Sequence, residues 1–260
     1  MAAKAWHDGG EGGDASAVAW RRPSPGGSNM TASRWARLAA ASGIVFVVLL
    51  ILGAFIVPSP PKSDASAAEI AAYFSDHHSA VLIASLLSVL ALPFFLWFLS
   101  ALRAVLLRAE GDSGHLAAVT FGAGIFTAGT AMLATILGDG LDQRIAVSSD
   151  GSVVRAVYEL YRLTNGIASA IGLAILLGAA SFVFARSGIM PRWLGWFGYL
   201  AGGCALVAAC AVALNDTSGL RVLGTISLVG FALWVLLIAG VWLQHVTEPS
   251  PHPGHRVAPA

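Results

Sequence analysis

The chain contains six long apolar runs that hold no Asp, Glu, Lys or Arg, and these runs limit its possible folds more than any other feature. A helix needs roughly 20 mostly apolar residues to cross the hydrocarbon layer of a bilayer, and each run is of that order. The pattern therefore predicts an all-α fold, a polytopic bundle of six transmembrane helices. The predicted spans lie near residues 38–57, 79–100, 116–138, 165–185, 195–214 and 222–243.

The composition excludes a water-soluble protein. Only 11% of the 260 residues are charged, against about 25% in soluble domains, so the polar surface is too small to cover a globule in water. The small polar surface excludes a soluble enzyme. A nucleic-acid-binding protein is also excluded, because a net charge of +1 produces no field that attracts nucleic acid. The expected surroundings are the lipid bilayer.

The positions of the basic residues predict the orientation, because Lys and Arg in short flanking segments stay on the cytoplasmic side. With the N-terminus inside, ten of the 15 basic residues are cytoplasmic and five are outside. Both termini are therefore predicted to be cytoplasmic, in the cell membrane of a bacterium. Five tryptophans fall at the inner helix ends in this topology, as expected for an interfacial belt: Trp35, Trp97, Trp193, Trp196 and Trp242.

The two chain ends differ from the apolar middle. Residues 1–33 are rich in Gly, Ala, Ser and Pro, and residues 247–260 contain several prolines. Both segments are predicted to be disordered cytoplasmic tails on either side of one transmembrane domain, residues 34–246.

Two loops on the predicted outer side are long enough to hold short helices. In the first, Ser66 and Glu69 have capping-box spacing and open a helix that we expect to lie on the membrane surface. Ile70, Tyr73 and Phe74 share one face of that helix.

The second outer helix, residues 152–163, is expected to extend the fourth span outward. Its residues Val153, Val157, Leu160 and Tyr161 share one side. On another side, Arg155 and Glu159 have the i, i+4 spacing of a helical ion pair.

Small residues indicate where helices approach closely, because lipid provides no hydrophobic drive between helices. One stripe runs along the third span from Thr120 to Gly138, and another along the fifth from Gly198 to Ala209. We therefore expect the third and fifth helices at the centre of the bundle. Gly198 and Gly202 have the spacing of a helix-dimer motif, so a homo-oligomer or a membrane-protein partner through this face is the alternative.

The middle of each span holds no Asp, Glu, His, Lys or Arg, which disfavours an ion-coupled pump or a proton relay. Signatures of hydrolases, phosphate-binding loops, metalloproteases and haem ligation are missing from the sequence, and no cofactor is predicted.

One group of possible metal ligands remains on the predicted outer side. His77 and His78 precede the second span, while Asp139 and Asp142 follow the third, so helix packing could assemble a site for a divalent metal. Solvated helix ends are the alternative interpretation.

Three motifs resemble those of a family of small bacterial integral membrane proteins known as a domain of unknown function. Pro-Arg-Trp-Leu-Gly-Trp occupies residues 191–196, at the start of the fifth helix. The other two are the segment 64–73 that leads into the second helix, and Phe-Phe-Leu-Trp-Phe-Leu at residues 94–99. The resemblance covers roughly residues 35–245 and implies a six-helix bundle with no established activity.

These observations favour a non-enzymatic membrane protein that acts by packing against itself or another membrane protein. One alternative is a facilitative permease for a small neutral or amphipathic solute. Its path would be lined by hydroxyl groups such as those of Thr127 and Thr130, and the helix would move at Pro93. A second alternative is a membrane enzyme that uses the outward metal site.

Overall fold

A computed structural model describes residues 28–62, 64–111, 113–142, 150–214 and 221–247. Within these ranges the chain forms eight α-helices and no strand, and six helical segments are long and apolar enough to cross a membrane. The predicted fold class is confirmed. The helices are α1 (Ser28–Ile56), α2 (Ala67–Asp76), α3 (His78–Glu110), α4 (His115–Gly140), α5 (Gly151–Leu163), α6 (Ser169–Ser187), α7 (Arg192–Ala213) and α8 (Arg221–Thr247).

The predicted tails fall almost entirely outside the described residues. There are two exceptions: α1 begins at Ser28, so disorder predicted for residues 28–33 is wrong, and α8 ends at Thr247, the first residue of the predicted C-terminal tail.

The spanning helices form a closed ring in which each packs chiefly on its neighbours in the chain. Thus α3 lies between α1 and α4, α6 lies between α4 and α7, and α8 contacts both α7 and α1. A smaller contact between α3 and α6 crosses the interior. The expectation that the third and fifth spans, α4 and α7, form the centre is wrong, because their small residues serve contacts with their ring neighbours.

Large apolar side chains fill the middle of the ring. Because lipid is as apolar as this interior, close fit between side chains has to hold the helices together. Leu99 of α3 illustrates such a fit, since an added Cβ at Gly124 of α4 would collide with its methyl groups. The largest fully buried side chains of the ring are Phe98, Leu99, Leu102, Leu106, Leu176, Leu177, Phe184, Leu194, Trp234 and Ile238.

The five tryptophans predicted at the inner helix ends lie at the ring's end near the start of α1 and differ in exposure. Trp35, Trp97, Trp193 and Trp196 are exposed. Trp242 is buried instead, with its ring centroid 5.4 Å from that of Phe98. The interfacial role predicted for Trp242 is therefore wrong, because α8 turns this side chain into the ring.

Above the opposite end of the ring, α2 packs on α5. These two helices, with the preceding residues 58–62 and 64–66, form what we call the cap. The predicted capping box is confirmed: Ser66 Oγ accepts from the Glu69 N–H (3.2 Å), and Glu69 Oε2 accepts from the Ser66 N–H (2.7 Å). Ile70 and Phe74 are buried, as their shared face predicted.

The helix α5 runs through one π-helical segment, Thr164–Ala168, into α6, which confirms that the second outer helix extends the fourth span. Of the predicted apolar side, Val157 and Tyr161 pack in partly buried positions against the buried residues of α2 and α5. Val154 and Tyr158 are buried, whereas Val153 and Leu160 are exposed. The reason is that α2 covers only one side of α5, where Val154 and Tyr158 join Ile70 in a small second core.

Glu110, the last residue of α3, caps the start of α4. Its carboxylate accepts hydrogen bonds from the backbone N–H groups of Leu116 (2.9 Å) and Ala117 (2.6 Å). The first N–H groups of a helix have no partner within the helix, and the N-cap residue Gly114 provides no side chain for them. The carboxylate also interacts favourably with the positive end of the helix dipole.

We expect Glu110→Ala to lower the free energy of unfolding by about 1–2 kcal/mol, because two N–H groups lose a charged acceptor. The measurement is thermal or denaturant unfolding in detergent. Glu110→Gln is the control, since it keeps one acceptor oxygen and should lose less. Equal stability of the Glu110→Ala variant and the original chain would show that water replaces the carboxylate.

Candidate functional site

The first polar contact at the cap end joins α3 to α4. His78 is the first residue of α3, and Asp142 follows the end of α4. Nδ1 of His78 lies 2.6 Å from Oδ2 of Asp142, and the side chain of Asp142 is 0% exposed whereas that of His78 is 51% exposed. The pair therefore consists of a buried carboxyl group and an imidazole that reaches water.

The surroundings of Asp142 disfavour its charge. Burial raises the pKa of the Asp142 carboxyl above its usual value, and the negative charge of Asp139 acts in the same direction, while His78 opposes both effects. Oδ1 of Asp142 has no hydrogen-bond partner among the described residues. Chemically, this group can hold a proton or pair with a cationic imidazole.

A second polar contact lies deeper along the same two helices. Ser85 of α3 donates a hydrogen bond from Oγ to Oδ1 of Asp139 in α4, at 2.5 Å. Ser85 lies two helical turns after His78, and Asp139 lies one turn before Asp142, so both contacts join the same antiparallel helix faces. Together they fasten the ends of α3 and α4 beside the cap. We call these four residues the outer polar contacts.

His77 takes a different place. It is the C-cap residue of α2, with Nδ1 2.8 Å from the carbonyl oxygen of Tyr73 and its ring packed on the Tyr73 ring. Of the four predicted metal ligands, His78 and Asp142 meet, Asp139 binds Ser85 and His77 contacts α2. Within the described part of the chain, no three His, Cys, Asp or Glu side chains come close enough to hold a metal ion.

Two tyrosines fix the proline-rich segment of the cap. Tyr73 of α2 donates its hydroxyl hydrogen to the carbonyl of Pro58 (2.7 Å), and Tyr158 of α5 donates to the carbonyl of Pro61 (2.6 Å). Proline has no N–H of its own, so its carbonyl is the group by which a partner can hold it. Sequence reasoning missed both bonds, because nothing in the spacing connects Tyr158 with Pro61.

The bond from Tyr73 makes the cap sensitive to alkaline pH. Burial raises the pKa of Tyr73 to about 12, with a smaller contribution from Tyr161. Because the folded state keeps this proton and the unfolded chain loses it near pH 10, cap stability should fall as the pH rises from about 10 to 12.

The test is the pH dependence of cap unfolding, followed by hydrogen exchange or tyrosinate absorbance. The Tyr73→Phe variant should lose about 1 kcal/mol at neutral pH through the missing hydrogen bond, and should show a smaller decline above pH 10. An equal decline in both proteins would assign the titration to another group.

A shallow cleft lies between α2 and α5, lined by Ile70, Tyr158, Arg155 and Glu159 among others. The ion pair predicted between Arg155 and Glu159 is wrong. Glu159 instead binds Arg162, with two N–O distances of 2.9 and 2.6 Å. Arg162 at i+3 is nearer to the bundle than Arg155, whose side chain is exposed.

Gly198 and Gly202, the predicted partner face, are buried within the chain. An added Cβ at Gly198 would collide with Ser181 and Trp234, and at Gly202 it would lie 3.3 Å from Leu177. The chain's own helices α6 and α8 therefore occupy this face, and a partner would have to contact another surface.

The hydroxyl groups in the proposed permease path bind helix backbone or one another. Thr127 donates to the carbonyl of Ala123 (2.8 Å), and Thr130 lies 3.0 Å from the carbonyl of Thr127. Ser169 of α6 donates to Thr130 Oγ1 at 3.0 Å, which joins α4 to α6. Pro93 is exposed on the outer surface of α3. The Ser169–Thr130 bond is a helix-to-helix contact of the kind common in membranes, whereas Thr127 bonds within its own helix.

Comparison with known proteins identifies the family. Residues 38–243 match the family model described as "Domain of unknown function (DUF4386)". No curated protein and no solved structure matches the chain. The matched region runs from the first predicted span to the end of the sixth, and it includes the cap and the outer polar contacts. The chain, a multi-pass membrane protein by its six spanning helices, therefore belongs to the DUF4386 family, a domain of unknown function.

Proposed function

We propose that this protein is non-enzymatic and acts by packing against another membrane protein or a second copy of itself. The observation that carries the proposal is the exposed apolar side of α5. Val153 is 44% and Leu160 is 52% exposed, whereas Val154 and Tyr158 on the side of α5 that faces α2 are buried. Apolar side chains that protrude beyond the lipid are typical of a surface that another protein covers.

The length of the fourth span supports this assignment. The continuous helical segment Gly151–Ser187 has 37 residues, which corresponds to about 55 Å. The hydrocarbon layer is about 30 Å thick, so lipid covers little more than half of the segment. Arg186 at the opposite end belongs at a membrane interface, which leaves α5 as the part outside the lipid.

Two further features agree with a packing role. The centre of the ring is filled with buried apolar side chains, and the outer polar contacts fasten α3 to α4.

We also propose that the protein lies in the bacterial cell membrane with both termini in the cytoplasm. This orientation places most basic residues inside and places the cap outside the cell.

In-cell photo-crosslinking tests the proposed surface with a matched pair of neighbouring valines. A photoreactive residue in place of Val153 should give a discrete intermolecular adduct. The same residue in place of Val154, which is 2% exposed, should give none. Mass spectrometry of the adduct distinguishes a second copy from another membrane protein.

A second variant tests whether the adduct at Val153 depends on the exposed apolar side of α5. Leu160→Glu should abolish the adduct at Val153 without changing the unfolding temperature, because Leu160 is exposed and lies on the same side of α5. The proposal is contradicted by lipid or water adducts alone at Val153, or by an adduct that survives Leu160→Glu.

A further inference from the structure

The end of the ring opposite the cap carries a concentration of arginines without neutralising partners. It is formed by the start of α1, the end of α3, the end of α6 and the start of α7, and we call it the basic end. None of its guanidinium groups forms an ion pair within the described residues. They are Arg34, Arg37, Arg103, Arg108, Arg186 and Arg192.

The acids at the basic end do not balance this charge. Among the described residues there, the sole carboxylate is that of Glu110, and it is occupied by the N–H groups of Leu116 and Ala117. At the cap end, by contrast, Arg162 is paired with Glu159. Within the described part of the chain, the positive charge of the basic end is therefore not neutralised by carboxylates.

An aromatic surface lies beside two of these arginines. Trp35 of α1 and Trp97 of α3 stack with ring centroids 5.6 Å apart and an interplanar angle of 17°. They remain 59% and 46% exposed, so the stacked pair faces outward from the groove between α1 and α3. Arg34 and Arg37 are within one helical turn of Trp35.

The same groove is apolar toward the middle of the membrane. Leu38 on α1 and Leu90 and Phe94 on α3 are exposed. Toward the basic end, the apolar strip is thus followed by the indole pair, which Arg37 and Arg34 flank along α1. Because helical side chains tilt toward the helix N-terminus, both guanidinium groups extend toward the basic end. This order matches that of a phospholipid, with acyl chains, glycerol region and phosphate.

We propose that the groove between α1 and α3 at the basic end binds an anionic glycerophospholipid. Arg34 and Arg37 hold the phosphate and the anionic headgroup, while Trp35 and Trp97 contact the glycerol region. Guanidinium groups suit phosphate oxygens because they offer several donors in a plane. The lipid thereby supplies the negative charge that the described acids at this end lack.

Lipid titration of the purified protein, followed by native mass spectrometry, tests the proposal. Phosphatidylglycerol should bind more tightly than phosphatidylcholine with the same acyl chains. Arg34→Gln/Arg37→Gln should weaken phosphatidylglycerol binding by roughly thirtyfold, since each cation near a membrane surface contributes about 1 kcal/mol. Binding of phosphatidylcholine should not change.

Matched variants separate a site from general attraction. Lys62→Gln/Arg155→Gln removes two cations from the cap end and should leave phosphatidylglycerol binding intact. Trp97→Leu keeps every charge and should weaken binding of the same lipid severalfold. Unfolding in phosphatidylcholine checks that each variant is folded.

Three outcomes would overturn the proposal. They are unchanged phosphatidylglycerol affinity in the folded Arg34→Gln/Arg37→Gln variant, an equal loss in the cap-end control, and displacement of the lipid by millimolar inorganic phosphate. The last result would assign the arginines to a soluble phosphate instead of a lipid headgroup.

Discussion

Replacing Gly198 with alanine should lower the free energy of unfolding by about 2–3 kcal/mol, because the interior has no room for the added methyl group. The new Cβ would overlap Oγ of Ser181 on α6 and would lie 2.8 Å from Nε1 of Trp234 on α8. Ser181 and Trp234 are both 0% exposed. Either α7 moves outward or the indole ring shifts, and both changes disturb the contacts of α7 with its two ring neighbours.

The chain offers a control on the same helix. Gly203 is exposed, and an added Cβ there would meet no atom within 4 Å. Gly203→Ala should therefore be neutral or slightly stabilising, since alanine favours helix over glycine by up to about 1 kcal/mol. Unfolding of both variants in mixed detergent micelles provides the comparison. Equal stabilities would show that α7 does not pack on α6 and α8 as described.

Ile70→Ala should loosen the packing of α2 on α5 within the cap. Ile70 is 2% exposed and belongs to the small core that α2 shares with Val154 and Tyr158 of α5. Truncating a buried isoleucine costs about 2–5 kcal/mol. A loss of about 2 kcal/mol corresponds to roughly thirtyfold faster hydrogen exchange of the amides that the contact between α2 and α5 protects.

Hydrogen exchange resolves the location of this effect. Amides of α2 and α5 should exchange faster, while those in the middle of α6 and α7 should stay protected. Ile83→Ala is the matched control, because Ile83 on α3 is 49% exposed and its truncation leaves the cap intact. Faster exchange throughout the ring after Ile70→Ala would mean that cap and ring unfold as one unit.

The number of spans and the cap helices could be predicted from local sequence. Runs of apolar residues identify a spanning helix without reference to its neighbours, and the Ser66–Glu69 spacing identifies a helix start because both partners are three residues apart. Each of these features is local. For the same reason, Ile70 and Phe74 were assigned to the buried face of α2 correctly.

The arrangement of the helices and the polar contacts could not be predicted in the same way. Every span is apolar on all sides, so the sequence does not indicate which side faces lipid, and small residues at Gly124 or Gly198 fit a ring contact as well as a central helix. The pairing of His78 with Asp142, and not with His77 or Asp139, depends on the rotation of α3 against α4. Ser85 was overlooked as a partner because hydroxyl groups are common in membrane helices.

The central claim is that the ring encloses a packed interior while the cap stands in water. Thiol labelling in proteoliposomes and intact cells tests it, in a background without the two free cysteines Cys204 and Cys210. Thr127→Cys lies in the α4–α6 contact, and Ser75→Cys is an exposed position on α2.

A membrane-impermeant thiol reagent should label Ser75→Cys from outside the cell and should leave Thr127→Cys unmodified from either side. Labelling of Thr127→Cys in the folded protein would reveal an aqueous path through the ring and contradict the packed interior.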